Sequence, residues 1–132
     1  MRTLIVDDDF ISRKVLTGLL SPVADCDVAI DGKEAVLAFR LALEENRTYD
    51  LLCMDVMMPR LDGVGALKNI RAIEAEHGVV GAAEVKALMV TALGDPKTVF
   101  DAYYLGGATS YLVKPVRREK LFDELREFGL IK

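Results

Sequence analysis

The sequence holds one histidine, two cysteines and no long apolar run, and each shortage removes a class of function. His77 falls where a helical pattern frays, which is the place of a surface side chain rather than of a catalytic imidazole. Cys26 and Cys53 stand inside apolar segments, without a C-x-x-C or His-containing spacing to clamp a metal or run redox chemistry, and read as buried thiols. No segment approaches the roughly 18 apolar residues that cross a bilayer, and no N-terminal stretch joins a basic start, an apolar run and a small-residue cleavage site. A cytoplasmic location with no membrane contact is the expectation. The formal net charge of -4 has no basic run behind it, so direct binding to nucleic acid is not expected.

What the chain does have is apolar content, 52% of 132 residues, ample for one buried core, and a single domain over 1–132 is expected. Leu4-Ile5-Val6 stops at three aspartates, as a buried strand does at a polar edge. Apolar residues then recur at helical steps from Ile11 to Leu20, where Ser21-Pro22 ends the pattern. Asp27 to Ile30 reads as a second strand, with Asp31 capping a helix that runs to about Asn46. Leu51 to Met54 is a third strand ending at Asp55, and Asp62 caps the next helix, which fades into the stretch His77 to Ala83. Ala87 to Val90 is the fourth strand. Asp95-Pro96 and Gly106-Gly107 bracket a helix. Tyr111 to Val113 is the fifth strand, and Arg117 to Phe128 the last helix, stopped by Gly129. Short, almost wholly apolar strands alternating with helices define an α/β, doubly wound parallel sheet.

In such sheets reactive groups collect at the carboxyl ends of the strands. Here those ends carry Asp7, Asp8 and Asp9, then Asp55, Thr91-Ala92, and Lys114-Pro115. Converging carboxylates repel unless one takes a proton or a hard cation joins them. Mg²⁺, with Mn²⁺ as the alternative, suits a few carboxylates plus waters and a phosphate oxygen. Such a site fits phosphoryl transfer, with a carboxylate as nucleophile and the metal and lysine neutralising the phosphoryl oxygens. Each residue also has a plain reading: the aspartates as helix caps, Lys114 as an exposed lysine, Thr91 as a turn cap, Tyr111 as a packed ring.

The strings V-D-D-D, D-V-M-M-P-R-L-D-G, V-T-A and Y-L-V-K-P, in order at successive strand ends over nearly the whole chain, resemble the response-regulator receiver family. The resemblance implies a flavodoxin-like, CheY-like fold with five helices and strand order 2-1-3-4-5. It makes Asp55 the phosphoacceptor, Asp8 a direct metal ligand, Asp7 an acid acting through water and the Met57 carbonyl a further ligand, with Asp9 at a variable position. Lys114 pairs with the phosphoryl group, Thr91 bonds it, and Tyr111 is the rotamer switch. A cis peptide before Pro115 is implied. A histidine kinase or histidine phosphotransfer protein is implied as donor, and an unidentified protein as target. The output face would hold Tyr103, Tyr104, Tyr111, Arg117, Arg118 and Lys120.

Two departures stand out. Glu74 to Glu84 is longer than the usual connection, and reads as a tolerated insertion with a mobile turn. Met57 and Leu93 are apolar where related receivers carry polar side chains, which predicts a slowly hydrolysed acyl phosphate. An aspartyl-phosphate phosphatase is the enzyme alternative, but Met57 stands where its second acid belongs. A binding module that never carries phosphate is the other. As it stands the chain ends at Lys132, just after the last helix, so output is expected through a partner.

Overall fold

The strands are β1 (Arg2–Val6), β2 (Asp25–Ala29), β3 (Leu51–Asp55), β4 (Lys86–Thr91) and β5 (Ser110–Val113), of which β1, β3 and β4 are mostly buried. They pair in parallel in the order β2-β1-β3-β4-β5. The computed structural model describes residues 1–58, 60–92, 96–101, 103 and 106–132. The helices between strands are α1 (Phe10–Leu20), α2 (Gly32–Glu44), α3 (Gly63–Glu76) and α4 (Pro96–Asp101), and α5 (Arg118–Glu127) closes the fold. Asp95, expected to cap α4, lies outside the described residues, as do Leu93 and Tyr104.

Three helices, α1, α2 and α3, begin where a carboxylate can satisfy their free N–H groups. Asp9 accepts from Ile11, Asp31 from Glu34 and Asp62 from Gly65, at 3.2, 2.9 and 2.7 Å. At the other end of the chain, Gly129 takes φ +78°, and the N–H of Leu130 reaches back to the Leu125 carbonyl at 3.0 Å. That is the left-handed exit glycine makes cheap.

Period-two alternation divides the core between the two faces of the sheet. Leu4 and Val6 point into one cluster with Phe39, Leu52, Met54, Leu67, Ile70 and Met89. Ile5 points into the other, with Leu16, Leu20, Leu51, Cys53, Leu88, Leu121 and Leu125. Each such side chain, wholly withdrawn from water, contributes about 1.5–3 kcal/mol. Burial lifts the Cys53 thiol to about 12, with the neighbouring Cys26 adding to it, so it is an inert core group. Cys26, expected to be buried, is only half-buried on the edge strand β2.

Two segments show detail that local sequence pattern does not carry. Only Leu16 and Leu20 of the α1 series are buried, whereas Ile11 and Val15 are 64% and 48% exposed. The Glu74–Glu84 connection contains two left-handed glycines, Gly78 and Gly81, yet it is tied at its root. Glu74 is 1% exposed, pairs with Arg71 at 2.7 Å and accepts the N–H of Val85 at 2.7 Å. Arg71 also donates to the carbonyls of Val85 at 2.9 Å and Gly107 at 3.1 and 2.9 Å, linking α3 to the turn before β5. His77 is exposed, with Nδ1 donating to the Ile73 carbonyl at 2.8 Å, at the end of α3.

Candidate functional site

Parallel strands deliver their last residues to one edge, and the sequence-predicted residues meet there. Asp7, fully buried, follows β1 and Asp8, exposed, stands beside it; Asp55, 8% exposed, is the last residue of β3. One oxygen from each of Asp7, Asp8 and Asp55 lies within 4.8 Å of the others. Thr91 ends β4, buried, and its carbonyl accepts the Lys114 N–H at 2.7 Å, which sets the end of β5 beside β4. The Lys114–Pro115 peptide is cis, as the resemblance implied.

Lys114 crosses the edge to reach the carboxylates. Its Nζ donates to Asp7 Oδ2 at 2.8 Å and to Asp55 Oδ2 at 3.4 Å. The remaining Asp7 oxygen accepts the Asp9 N–H at 2.9 Å, and Asp55 Oδ1 accepts the Met57 N–H at 3.2 Å. Burial raises the Asp55 pKa; the Lys114 charge opposes the rise and the Asp7 charge adds to it. For Lys114, burial disfavours the ammonium, but the hydrogen bond to Asp7 and the charges of Asp55 and Asp7 outweigh it and the pKa goes up.

Close packing fixes the α3 end of the loop that follows Asp55. A Cβ on Gly63 would lie 2.3 Å from the Asp55 carbonyl oxygen and 2.9 Å from Val56 Cα, so only glycine lets α3 start this near β3. A Cβ on Gly32 would meet the Leu61 carbonyl oxygen as closely, at 2.3 Å. Arg60, at φ +67°, pairs with the buried Asp31 at 2.6 Å, tying the same loop to the start of α2.

The donor set is all hard oxygen: two buried carboxylates, one exposed, and an open side. That set fits magnesium or manganese, which keep several waters and favour carboxylate over softer ligands.

On the far side of β5, Tyr111 is half-buried, packs against the first core cluster and meets Tyr103 edge-on, with ring centroids 6.1 Å apart at 86°. Arg117, Arg118 and Lys120 are exposed, and Arg118 lies over the Phe122 ring at 5.0 Å. A cleft of about 610 Å³ runs between β5 and α5, and Asp123 and Glu124 line it beside Arg117 and Lys120. The face is thus mixed in charge rather than basic. Tyr104 lies outside the described residues.

Three features escaped the sequence reading. Ser12 Oγ accepts from Lys114 Nζ at 3.4 Å and donates to Asp9 at 3.0 Å. Arg13 donates to the Asp7 carbonyl at 2.8 Å. The exposed Ile11 and Val15 line an apolar groove of about 330 Å³ with Leu16, Val90, Pro115 and Val116, and Lys114 stands in its wall. An acidic N-cap followed by a hydroxyl and an arginine on one helical turn was the available signal for the first two.

Residues 3–126 match the response regulator receiver domain family. The chain is 32% identical over 126 residues to the chemotaxis protein CheY of Treponema pallidum, covering 94% of this chain and 79% of that protein. It is also 32% identical to a probable transcriptional regulator, ycf27, of Cyanophora paradoxa, but spans only 46% of that protein's length. Its fold superposes with a TM-score of 0.82, at 29% identity and covering 100% of this chain and 90% of the other, on a chain of the CheX–CheY–BeF3–Mg²⁺ complex of Borrelia burgdorferi.

Proposed function

This chain belongs to the response regulator receiver domain family of two-component signalling, and from that membership we propose that it accepts a phosphoryl group onto Asp55 and passes the signal through its α4–β5–α5 face. The carrying observation is the meeting of Asp7, Asp8 and Asp55 within 4.8 Å, with the Lys114 ammonium bonded to two of the three.

Asp8 and Asp55 would hold Mg²⁺ directly, Asp7 through water, and the Met57 carbonyl would complete the protein's share. The ion, when bound, supplies positive charge to the phosphoryl oxygens. The rest is the work of side chains. An Asp55 oxygen attacks phosphorus, and the P–N bond of a phosphohistidine donor breaks, leaving its electron pair on the imidazole nitrogen. Lys114 neutralises one phosphoryl oxygen, and the Thr91 hydroxyl donates to another. Loss of the signal is attack by water on the acyl phosphate, returning the carboxylate and inorganic phosphate. Met57, 67% exposed, offers that water no polar side chain, which supports a long-lived phosphoryl group.

The donor imidazole comes from another protein, and the apolar groove beside Lys114 suits a donor helix with an apolar stripe. The phosphoryl group carries nearly two negative charges in place of the carboxylate's one, and these draw Thr91 and Lys114 toward it. Tyr111, packed against Tyr103, would turn in response and alter the face holding Arg117, Arg118 and Lys120. The test is transfer from a phosphorylated histidine phosphotransfer domain: the label moves to this chain and not to Asp55→Asn. Equal labelling of that variant overturns the assignment.

A further inference from the structure

The Lys114 ammonium has three N–H groups, and the structure gives it three acceptors: Asp7 Oδ2 at 2.8 Å, Asp55 Oδ2 at 3.4 Å and Ser12 Oγ at 3.4 Å. The third is fixed from behind. Ser12 sits in the first turn of α1, and its hydroxyl donates to Asp9 Oδ2 at 3.0 Å, while Asp9 Oδ1 takes the Ile11 N–H at 3.2 Å. An ionised carboxylate only accepts, so the hydroxyl proton is committed to Asp9. What the hydroxyl turns toward Lys114 is therefore lone pairs. Asp9, the acid given no part in the chemistry, caps the helix with one oxygen and aims Ser12 with the other.

We propose that Ser12, aimed by Asp9, is a positioning residue that holds the Lys114 ammonium in the site while the ammonium's other two acceptors are taken up by the reaction. This rests on the phosphoryl-acceptor reading of Asp55. On that reading Asp7 shares its charge with a divalent cation, so its hold on Lys114 weakens as the cation binds. The Asp55 carboxylate in turn gives up its charge as it bonds phosphorus, before the phosphoryl oxygens have settled on Lys114. Ser12 keeps the same partner throughout. Without it, a side chain with a large store of rotamer freedom drifts from the place where the phosphoryl oxygen arrives. The role makes no contact with the transferred group and moves no proton.

The experiment compares the full chain with Ser12→Ala and Ser12→Thr. Uptake from acetyl phosphate at saturating Mg²⁺ is followed by intact mass, Mg²⁺ affinity by calorimetry, and the order of the Lys114 side chain by NMR with Mg²⁺ present. Ser12→Ala is expected to slow uptake roughly ten-fold, the size of one hydrogen bond to a charged group. Its Mg²⁺ affinity stays the same, and its Lys114 methylenes become mobile. Ser12→Thr, which keeps the hydroxyl, restores both rate and order. Parent-like uptake in Ser12→Ala, an ordered Lys114 in that variant, a matching loss of Mg²⁺ affinity or a failed rescue by Ser12→Thr each overturns the role of Ser12 alone. A parent chain that gains no phosphoryl mass overturns the reading of Asp55, and this role with it.

Discussion

Lys114 lies nearer to Asp7 than to Asp55, 2.8 Å against 3.4 Å, although Asp55 is the proposed nucleophile. The lysine is first the counter-ion of a carboxylate that is completely buried, and it reaches the acceptor from there. The order of those distances ties folding stability to chemistry at this edge.

Cation binding is expected to show as stability. At a free Mg²⁺ concentration 100 times the dissociation constant, binding to the folded chain alone adds about 2.7 kcal/mol. Asp8 is exposed, so Asp8→Asn should fold as well as the parent while losing that increment. Urea titrations with and without Mg²⁺ measure both; an undiminished increment in Asp8→Asn removes Asp8 from the ligand set.

Asp55 is expected to cost stability at neutral pH. Its pKa in the fold is raised above the ordinary 3.8, chiefly by burial, so the fold prefers the neutral form. Well below pH 3.8 the carboxyl is protonated in folded and unfolded chains alike, and the cost vanishes; it develops as pH rises from 3.8 to the raised value and is complete above it. Asp55→Asn should therefore be more stable than the parent at pH 7 and no more stable at about pH 3. Lys114 has the opposite sense: raised above 10.5, it lends stability at neutral pH that is lost only as pH climbs past its folded value. Denaturation at the two pH values decides the matter, and a less stable Asp55→Asn at pH 7 contradicts this electrostatic account.

The strand ends were legible because an apolar run stopping at Asp, Thr or Lys marks both a strand and its exit. Period two then sent Leu4 and Ile5 to opposite faces. Periodicity names a helix's apolar stripe but not what covers it, so the repeat from Ile11 to Leu20 does not separate the buried Leu16 and Leu20 from the exposed Ile11 and Val15. Arg71 reaches Gly107 across 36 positions, and no local pattern records such a contact. Ser12 carried only a local signal, a hydroxyl one turn after an acidic N-cap, and its partner Lys114 stands 102 positions away. The excess length after α3 was visible, but not the buried carboxylate that anchors it.

Ile11 and Val15 should matter for a protein donor and not for a small one. Ile11→Glu with Val15→Glu places charge in the apolar groove, which should slow transfer from a phosphohistidine protein about ten-fold or more, given the apolar area lost from the contact. Uptake from acetyl phosphate should stay at the parent rate. Equal slowing with both donors would place the groove in the chemistry instead of in docking.

Arg71 should be among the costlier exchanges outside the site. Arg71→Ala leaves the Glu74 carboxylate buried without its cation, a loss of about 3–5 kcal/mol. Glu74→Gln in the same background, which removes the stranded charge, should recover part of it. Equilibrium unfolding in urea reads both, and a loss below about 1 kcal/mol, the usual ceiling for exposed ion pairs, would mean the pair behaves as a surface one.

The most direct measurement is the intact mass of the chain after incubation with acetyl phosphate and Mg²⁺, followed by peptide mapping. The account predicts a gain of one phosphoryl group located on Asp55, absent in Asp55→Asn and absent when the metal is chelated. A gain that survives Asp55→Asn, maps to another residue or ignores chelation would contradict it.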